Sequence, residues 1–246
     1  MTEPTGGEAM IEARGVSKHF GRRKVLSSLD LAVNDGQIVS LMGPNGSGKT
    51  TLLRILSTLM PPSGGDVLLQ GKSVYEDTVM ARRSIGVVGH STYTYDDLTA
   101  LENLKFYWRM YGLPPDQFKD TGQAMLQRVG LSHRVNDRSA VFSKGMRQRL
   151  AIARALMGSP KVLLLDEPFS SLDQKGVDIL TQILMDERRR GCSVLVVTHD
   201  IERICTLADR ADVLTGGRIA RSFNSGEIKS GELERIYRQA AEGGIS

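Results

Sequence analysis

Gly43-Pro44-Asn45-Gly46-Ser47-Gly48-Lys49-Thr50 is an unbroken G-x-x-x-x-G-K-[ST] sequence. It stands between the apolar run 37–42 and a helically spaced segment, 51–60, that Pro61-Pro62 stops. Strand, glycine-rich loop and helix in that order make a phosphate cradle. The glycines let the backbone wrap closely, so that successive N–H groups and the start of the helix face an anion. Lys49 then reaches the terminal phosphates and Thr50 offers its hydroxyl to Mg2+. Gly43, Pro44, Asn45, Gly46, Ser47, Gly48, Lys49, Thr50 and Thr51 form the candidate nucleotide-binding set.

A site of this kind also needs an acidic residue for the metal at the end of a neighbouring buried strand. Val162-Leu163-Leu164-Leu165-Asp166-Glu167 supplies one. Asp166 is expected to hold Mg2+, and Glu167 to polarise the water that attacks the γ-phosphate. His199 follows the apolar run 194–197 and reads either as a buried, satisfied histidine or as a further contact to this site.

Working outward, short apolar runs bounded by Gly, Asp and Pro alternate with helical segments, which is the pattern of an α/β fold. Residues 10–20 and 25–33, separated by Gly21-Arg22-Arg23, read as an antiparallel opening. Further strands are expected at 37–42, 66–70, 84–88, 161–166 and 193–198, with a closing hairpin in 211–223 around Gly216-Gly217. From Thr99 the character changes. Thr99-Ala100-Leu101-Glu102 is a capping box for a helix to about Tyr111, helices follow over 117–129 and 143–157, and no strand signal interrupts them. Two more helices are expected at 175–190 and 231–241. Arg188, Arg189 and Arg190 read as cations offsetting the negative end of a helix. Phe106, Tyr107, Trp108 and Met110 read as an apolar stripe packed on the core.

With 246 residues, 40% apolar and 24% charged, the chain has room for one large domain or two small ones around a sizeable core. Lys plus Arg (32) exceeds Asp plus Glu (28) by four, a surplus too thinly spread to point to nucleic acid as a partner. Cys192 and Cys205 have neither metal-ligand spacing nor a CxxC partner, which fits a reducing compartment. No run approaches the roughly 18 apolar residues of a membrane-spanning helix, and residues 1–10 lack the basic start and apolar centre of a secretory signal. The expectation is a cytoplasmic protein that does any membrane work through other chains.

The ordered set of motifs resembles the nucleotide-binding subunit of ATP-binding cassette (ABC) transporters, over residues 11–222. Phe142-Ser143-Lys144-Gly145-Met146, with the helix through 155, is similar to the family signature. Ser170-Ser171-Leu172-Asp173 resembles the D-loop, Thr198-His199-Asp200 the switch histidine, and Phe20 stands where the family stacks an aromatic on adenine. The resemblance implies a P-loop NTPase (RecA-like) core, 10–90 and 159–222, with an antiparallel β subdomain, a helical insertion at about 91–158 and a tail at 223–246 with a short helix. ATP and Mg2+ are the implied cofactors. Thr50, Asp166 and His90 would lie at the metal, Glu167, His199 and His90 would be catalytic, and Phe20, Ser143, Gly145 and Asp173 would join the nucleotide-binding set. It further implies a head-to-tail dimer, expected to be a homodimer, in which Ser143 and Gly145 of one copy cover ATP held by the other. Transmembrane permease subunits would dock near 90–104, which places the chain on the inner face of the cell membrane.

Two departures stand out. The family signature usually reads L-S-G-G-Q, so Phe142, Lys144 and Met146 are changed, while the N-capping Ser143 and the small Gly145 are kept. His90 replaces the Q-loop glutamine; a neutral imidazole still offers a lone pair to metal or water. Within the family, His90 and the segment 98–107 are similar to the ATPase subunit of the haem exporter of cytochrome c maturation, and the same T-x-x-E-N-L also resembles drug-efflux ATPases. The altered signature and His90 leave a catalytically weak ATP-binding scaffold as the non-enzyme alternative. A P-loop kinase or GTPase would need a second-substrate or guanine-reading element, and none is apparent.

Overall fold

A computed structural model describes residues 9–89, 91–227, 231 and 233–235. Its opening strands β1 (Ala9–Phe20) and β2 (Arg23–Asn34) pair antiparallel around the turn at Gly21, as their alternation predicts. Next come β3 (Ile38–Met42), α1 (Lys49–Leu56), β4 (Gly64–Leu69), β5 (Lys72–Ser73), α2 (Thr78–Ser84) and β6 (Ile85–Val88). Three helices follow, α3 (Ala100–Met110), α4 (Phe118–Arg128) and α5 (Lys144–Leu156), with no strand among them. The chain then alternates: β7 (Val162–Asp166), α6 (Gln174–Arg189), β8 (Ser193–Val197), α7 (Ile201–Leu207) and the hairpin β9 (Arg210–Thr215) and β10 (Arg218–Asn224).

The strands form two sheets. One, ordered β2-β1-β4-β5, is antiparallel; the other, ordered β10-β9-β3-β8-β7-β6, is parallel except for its edge strand β10. Burial explains why β3, β7 and β8 read as continuous apolar runs. Val39, Leu41, Leu164, Leu195 and Val197 pack on one face with β1, β2 and α1, while Ile38, Leu163, Leu165, Val194 and Val196 pack on the other with α3 to α6. A parallel sheet covered on both faces has no polar side to show.

Where the elements differ from the sequence expectation, short-range chemistry decides. Helix α1 begins at Lys49 and ends at Leu56, instead of running from 51 to 60. Ser57 and Thr58 turn the chain before the prolines can act, Thr58 adopting φ 61° and accepting a hydrogen bond from Arg82 Nε at 2.8 Å. Helices α2 and α7, seven residues each, went unforeseen because their length is too short for a 3.6-residue period to show. Their caps were legible: Asp77 accepts from the backbone of Val79 and Met80, and Asp200 from that of Arg203.

The stripe on α3 is divided: Trp108 is buried, whereas Phe106 and Met110 face outward. The arginine triplet behaves as expected for a helix end, each member holding an acid: Arg188 with Asp209, Arg189 with Asp186 and Arg190 with Glu187. Of the expected terminal helix, residues 231 and 233–235 are helical and the remainder lies outside the described residues. No described helix is long and apolar enough to cross a membrane.

Helix α3 is fastened to the segment before it by one side chain. The Thr99/Glu102 capping box forms as read. Asn103, 1% exposed, accepts from the Tyr95 amide at 2.8 Å, and its Nδ2 sits 3.0–3.2 Å from the carbonyls of Tyr95, Leu98 and Thr99. Replacing it with an apolar residue strands those buried groups, at a cost of about 1–3 kcal/mol each for the ones left without water. Asn103→Leu is expected to lower stability by about 2 kcal/mol in urea unfolding; an unshifted midpoint would show that the segment does not depend on this residue.

Candidate functional site

Strand β3 delivers the chain to Gly43 at the carboxyl end of the parallel sheet, the edge where open α/β sheets bind ligands. Gly43 adopts φ 154°, and a Cβ there would sit 2.1 Å from the Leu214 carbonyl oxygen. Gly48, at φ 111°, lies so close to β2 that a Cβ would stand 2.7 Å from Leu26 Cδ2. Only glycine threads the loop between these two walls. Gly48 is also the N-cap of α1, and no side chain satisfies the first amides of that helix. Ser47 Oγ is buried without a hydrogen-bond partner. The loop therefore ends in donors that await an anion.

Lys49 curls over this loop, its Nζ donating to the carbonyls of Gly43 at 2.6 Å and Pro44 at 2.9 Å. Burial pulls its pKa below the ordinary lysine value, against the opposing pull of Glu167 and Asp166. Thr50 Oγ1 donates to Asp166 Oδ2 at 2.9 Å, so the hydroxyl and carboxylate picked out in the sequence meet across two elements far apart in the chain. Among the described residues no group of three or more His, Cys, Asp or Glu side chains gathers. A cation beside Thr50 and Asp166 would thus have two protein oxygens and would need phosphate and water for the rest, which is how Mg2+ is commonly held.

Glu167 turns away from the strand with φ 48°, its amide donating to the Val197 carbonyl at 2.8 Å. Its Oε1 lies 2.9 Å from His199 Nδ1. His199 is exposed at the sheet end, which removes the reading of it as a buried core histidine. Glu167 borders a cleft of about 670 Å3, lined also by Asn45, Gly46, Gly48 to Thr51 and Asp166, with Phe20 on its rim, while His199 stands outside that lining. Phe20 is 48% exposed, with Lys18 Nζ 5.6 Å from its ring centroid. Arg23, Val25 and Arg54 also line the cleft. No motif marked them; the first two arrive because β2 starts beside Phe20, and the third because it sits one helical turn past Thr50.

Ser143, Gly145 and Asp173 are not part of that cleft. Ser143 caps α5, its Oγ accepting from the Met146 amide at 3.2 Å, and its side chain is exposed. Gly145 packs on the preceding loop of α6, where a Cβ would stand 2.8 Å from the Ser171 carbonyl. Asp173 caps α6 through the Gly176 amide at 2.8 Å. These three therefore form a second surface, with the D-loop seated on the signature. His90 lies outside the described residues.

Residues 26–170 match the ABC transporter family. The chain is 37% identical over 219 residues to the glutamine transport ATP-binding protein GlnQ of Escherichia coli (strain K12), an alignment spanning 87% of this chain and 91% of that protein. It is 31% identical over 210 residues to the linearmycin resistance ATP-binding protein LnrL of Bacillus subtilis (strain 168), spanning 85% and 68% respectively. A solved dimeric ATP-binding cassette in a post-hydrolysis state with ADP and Pi superposes with a TM-score of 0.81 at 30% identity, over 88% of this chain and 99% of that one. The chain belongs to the ABC transporter family, as an ATP-binding subunit that hydrolyses ATP.

Proposed function

We propose that two copies of this chain enclose ATP head to tail and that their closing and opening drives membrane-spanning permease subunits from the inner face of the membrane. The observation that carries the reading is the division of the site: the phosphate loop, Asp166 and Glu167 share one cleft, while Ser143, Gly145 and Asp173 stand on another surface. The similar cassette that was solved with ADP and Pi is a dimer, which supports a second copy as the source of the missing wall.

Within each cleft the roles follow from chemistry. The loop amides from Gly43 to Thr51 bind phosphate oxygens, and Lys49 exchanges its two carbonyl partners for the terminal phosphates. Phe20 offers its exposed ring face to adenine. Thr50 and Asp166 would hold Mg2+, which when bound neutralises charge on the phosphates. Glu167 accepts the proton of the attacking water, and His199, at 2.9 Å, orients that carboxylate. Ser143 and Gly145 of the second copy cover the γ-phosphate with a helix start. Loss of that phosphate removes the charge that both copies grip, and the pair separates. The core at 10–90 and 159–222, and the helical insertion at 91–158, are the two parts that carry these half-sites.

For the cargo, the finer reading is haem export, supported by the segment 98–107 and by His90 in the sequence. The relatives described above are named for glutamine transport and for linearmycin resistance, and the second of these favours drug efflux as the rival. Inactivating the gene should abolish haem-stained c-type cytochromes under the first reading and leave them at wild-type levels under the second.

Two substitutions test the enzyme itself. Glu167→Gln should bind ATP with wild-type affinity, hydrolyse it at least about a hundredfold more slowly and accumulate as a dimer in light scattering. Turnover near the wild-type rate would take Glu167 out of the role assigned to it. Lys49→Ala should instead weaken ATP binding itself, measured by titration calorimetry, by about tenfold or more.

A further inference from the structure

Helix α5 carries a buried amide side chain that the nucleotide cleft does not use. Gln148 is 8% exposed and is not part of the cleft lining. With Arg154 it supplies the polar members of a buried set on α5 that is otherwise Leu, Ile and Ala. Its Nε2 donates to the Pro168 carbonyl at 3.3 Å, so an interior hydrogen bond joins α5 to the residue that follows Glu167. Burying an amide costs free energy unless its groups are bonded, and this contact is what α5 gains in return. The same helix meets the same segment again at Gly145, three residues earlier and so on the same face, where a Cβ would stand 2.8 Å from the Ser171 carbonyl.

The segment so held is under strain. Glu167 has φ 48°, and it precedes a proline, whose ring biases the residue before it toward extended backbone. A residue stays in such a conformation only where its surroundings over-determine it. The Glu167 amide donates to the Val197 carbonyl at 2.8 Å, which ties the start of the turn to β8. The Glu167 carbonyl accepts from Ser170 Oγ at 2.9 Å, which closes the turn on itself. Gln148 takes the next carbonyl, and Phe169, 7% exposed, is sunk in the core. Of these contacts, the Gln148 bond is the directional one that reaches the turn from α5.

We propose that Gln148 is a positioning residue for hydrolysis: by holding the Pro168 carbonyl it keeps the backbone of Glu167 left-handed, and so keeps Oε1 where it meets His199 Nδ1 at 2.9 Å. The proposal rests on the reading of Glu167 as the acceptor of the water proton and adds what sets that carboxylate in place. Without the donor, the buried Pro168 carbonyl recovers a partner only by rotation of the peptide that follows it. That rotation frees Glu167 to relax toward extended backbone and swings its side chain. A displacement of about 1 Å at a reacting group costs up to about a hundredfold in rate. ATP binding does not run through this bond, because the phosphate loop and Lys49 belong to β3 and α1.

The test measures steady-state hydrolysis, ATP binding by calorimetry and the urea midpoint on the full chain. Gln148→Met keeps an unbranched side chain and removes the donor; Gln148→Asn keeps the amide on an arm too short for a contact already at 3.3 Å. Either variant is expected to lower kcat by about tenfold or more while KM and ATP affinity stay within about twofold of wild type. Two variants of different polarity keep the test decisive if one of them does not fold. In a Glu167→Gln background the same substitutions should change the residual rate by less than about twofold, since the group they position is already gone. A role in stability alone would lower the rate equally in both backgrounds, with the urea midpoint. That result, or a folded variant with wild-type kcat, or a rise in KM at unchanged kcat, would overturn the proposal. If Glu167→Gln itself turns over at the wild-type rate, the assignment of Glu167 fails and the proposal with it; if Glu167→Gln is inert while both Gln148 variants are fully active, the proposal alone fails.

Discussion

Strand β8 lies between β3 and β7, and the relation among the site residues depends on those two parallel pairings. Val197 is the meeting point: it is in register with Leu41 on one side and with Asp166 on the other, and its carbonyl accepts the amide of Glu167. The phosphate loop leaves the sheet one residue after β3, Asp166 ends β7 with Glu167 next in the chain, and His199 follows β8 by two residues. A slip of one residue in either pairing would invert the inward-facing sets of Val39, Leu41, Leu164 and Leu195. Close packing against different partners on the two faces thus holds the registers, and the registers hold the Thr50–Asp166 and Glu167–His199 contacts.

The nucleotide cleft and a second cleft between α2, β6 and α3, lined by Arg82, Arg83 and Arg154, are joined physically. A cavity of about 120 Å3 lies between them, walled by Thr50 and Asp166 at one end and by Leu59 and Tyr93 at the other. Tyr93 holds φ 52°, its carbonyl accepts from the Tyr107 hydroxyl, and its ring rests against Arg154. Tyr93 is therefore a wall of the connecting cavity and of the arginine-lined cleft. Packed matter transmits displacement through such shared walls more readily than through open solvent.

Much of this was legible in the sequence because the chemistry is local there. The phosphate loop, the capping box at Thr99 and the N-cap at Ser143 are each written within a few consecutive residues, and each formed as read. What escaped was either too short or too distant. The seven-residue α2 and α7 have no room for a period to show, and Arg23, Val25 and Arg54 reach the cleft only through tertiary placement. Arg154 is the clearest case. In the sequence it is one more basic residue on a helix, and only the fold shows it buried among tyrosines with no acid beside it.

The backbone at Glu167 has a consequence for how this protein can change. A left-handed conformation at φ 48° suits glycine or asparagine and costs a glutamate about 1 kcal/mol or more. Substituting glycine there would relax the turn and harden the fold, yet it would delete the carboxylate that faces His199. Selection for thermal robustness and selection for turnover pull this position in opposite directions, so variants screened for heat resistance alone would be drawn toward an inert protein.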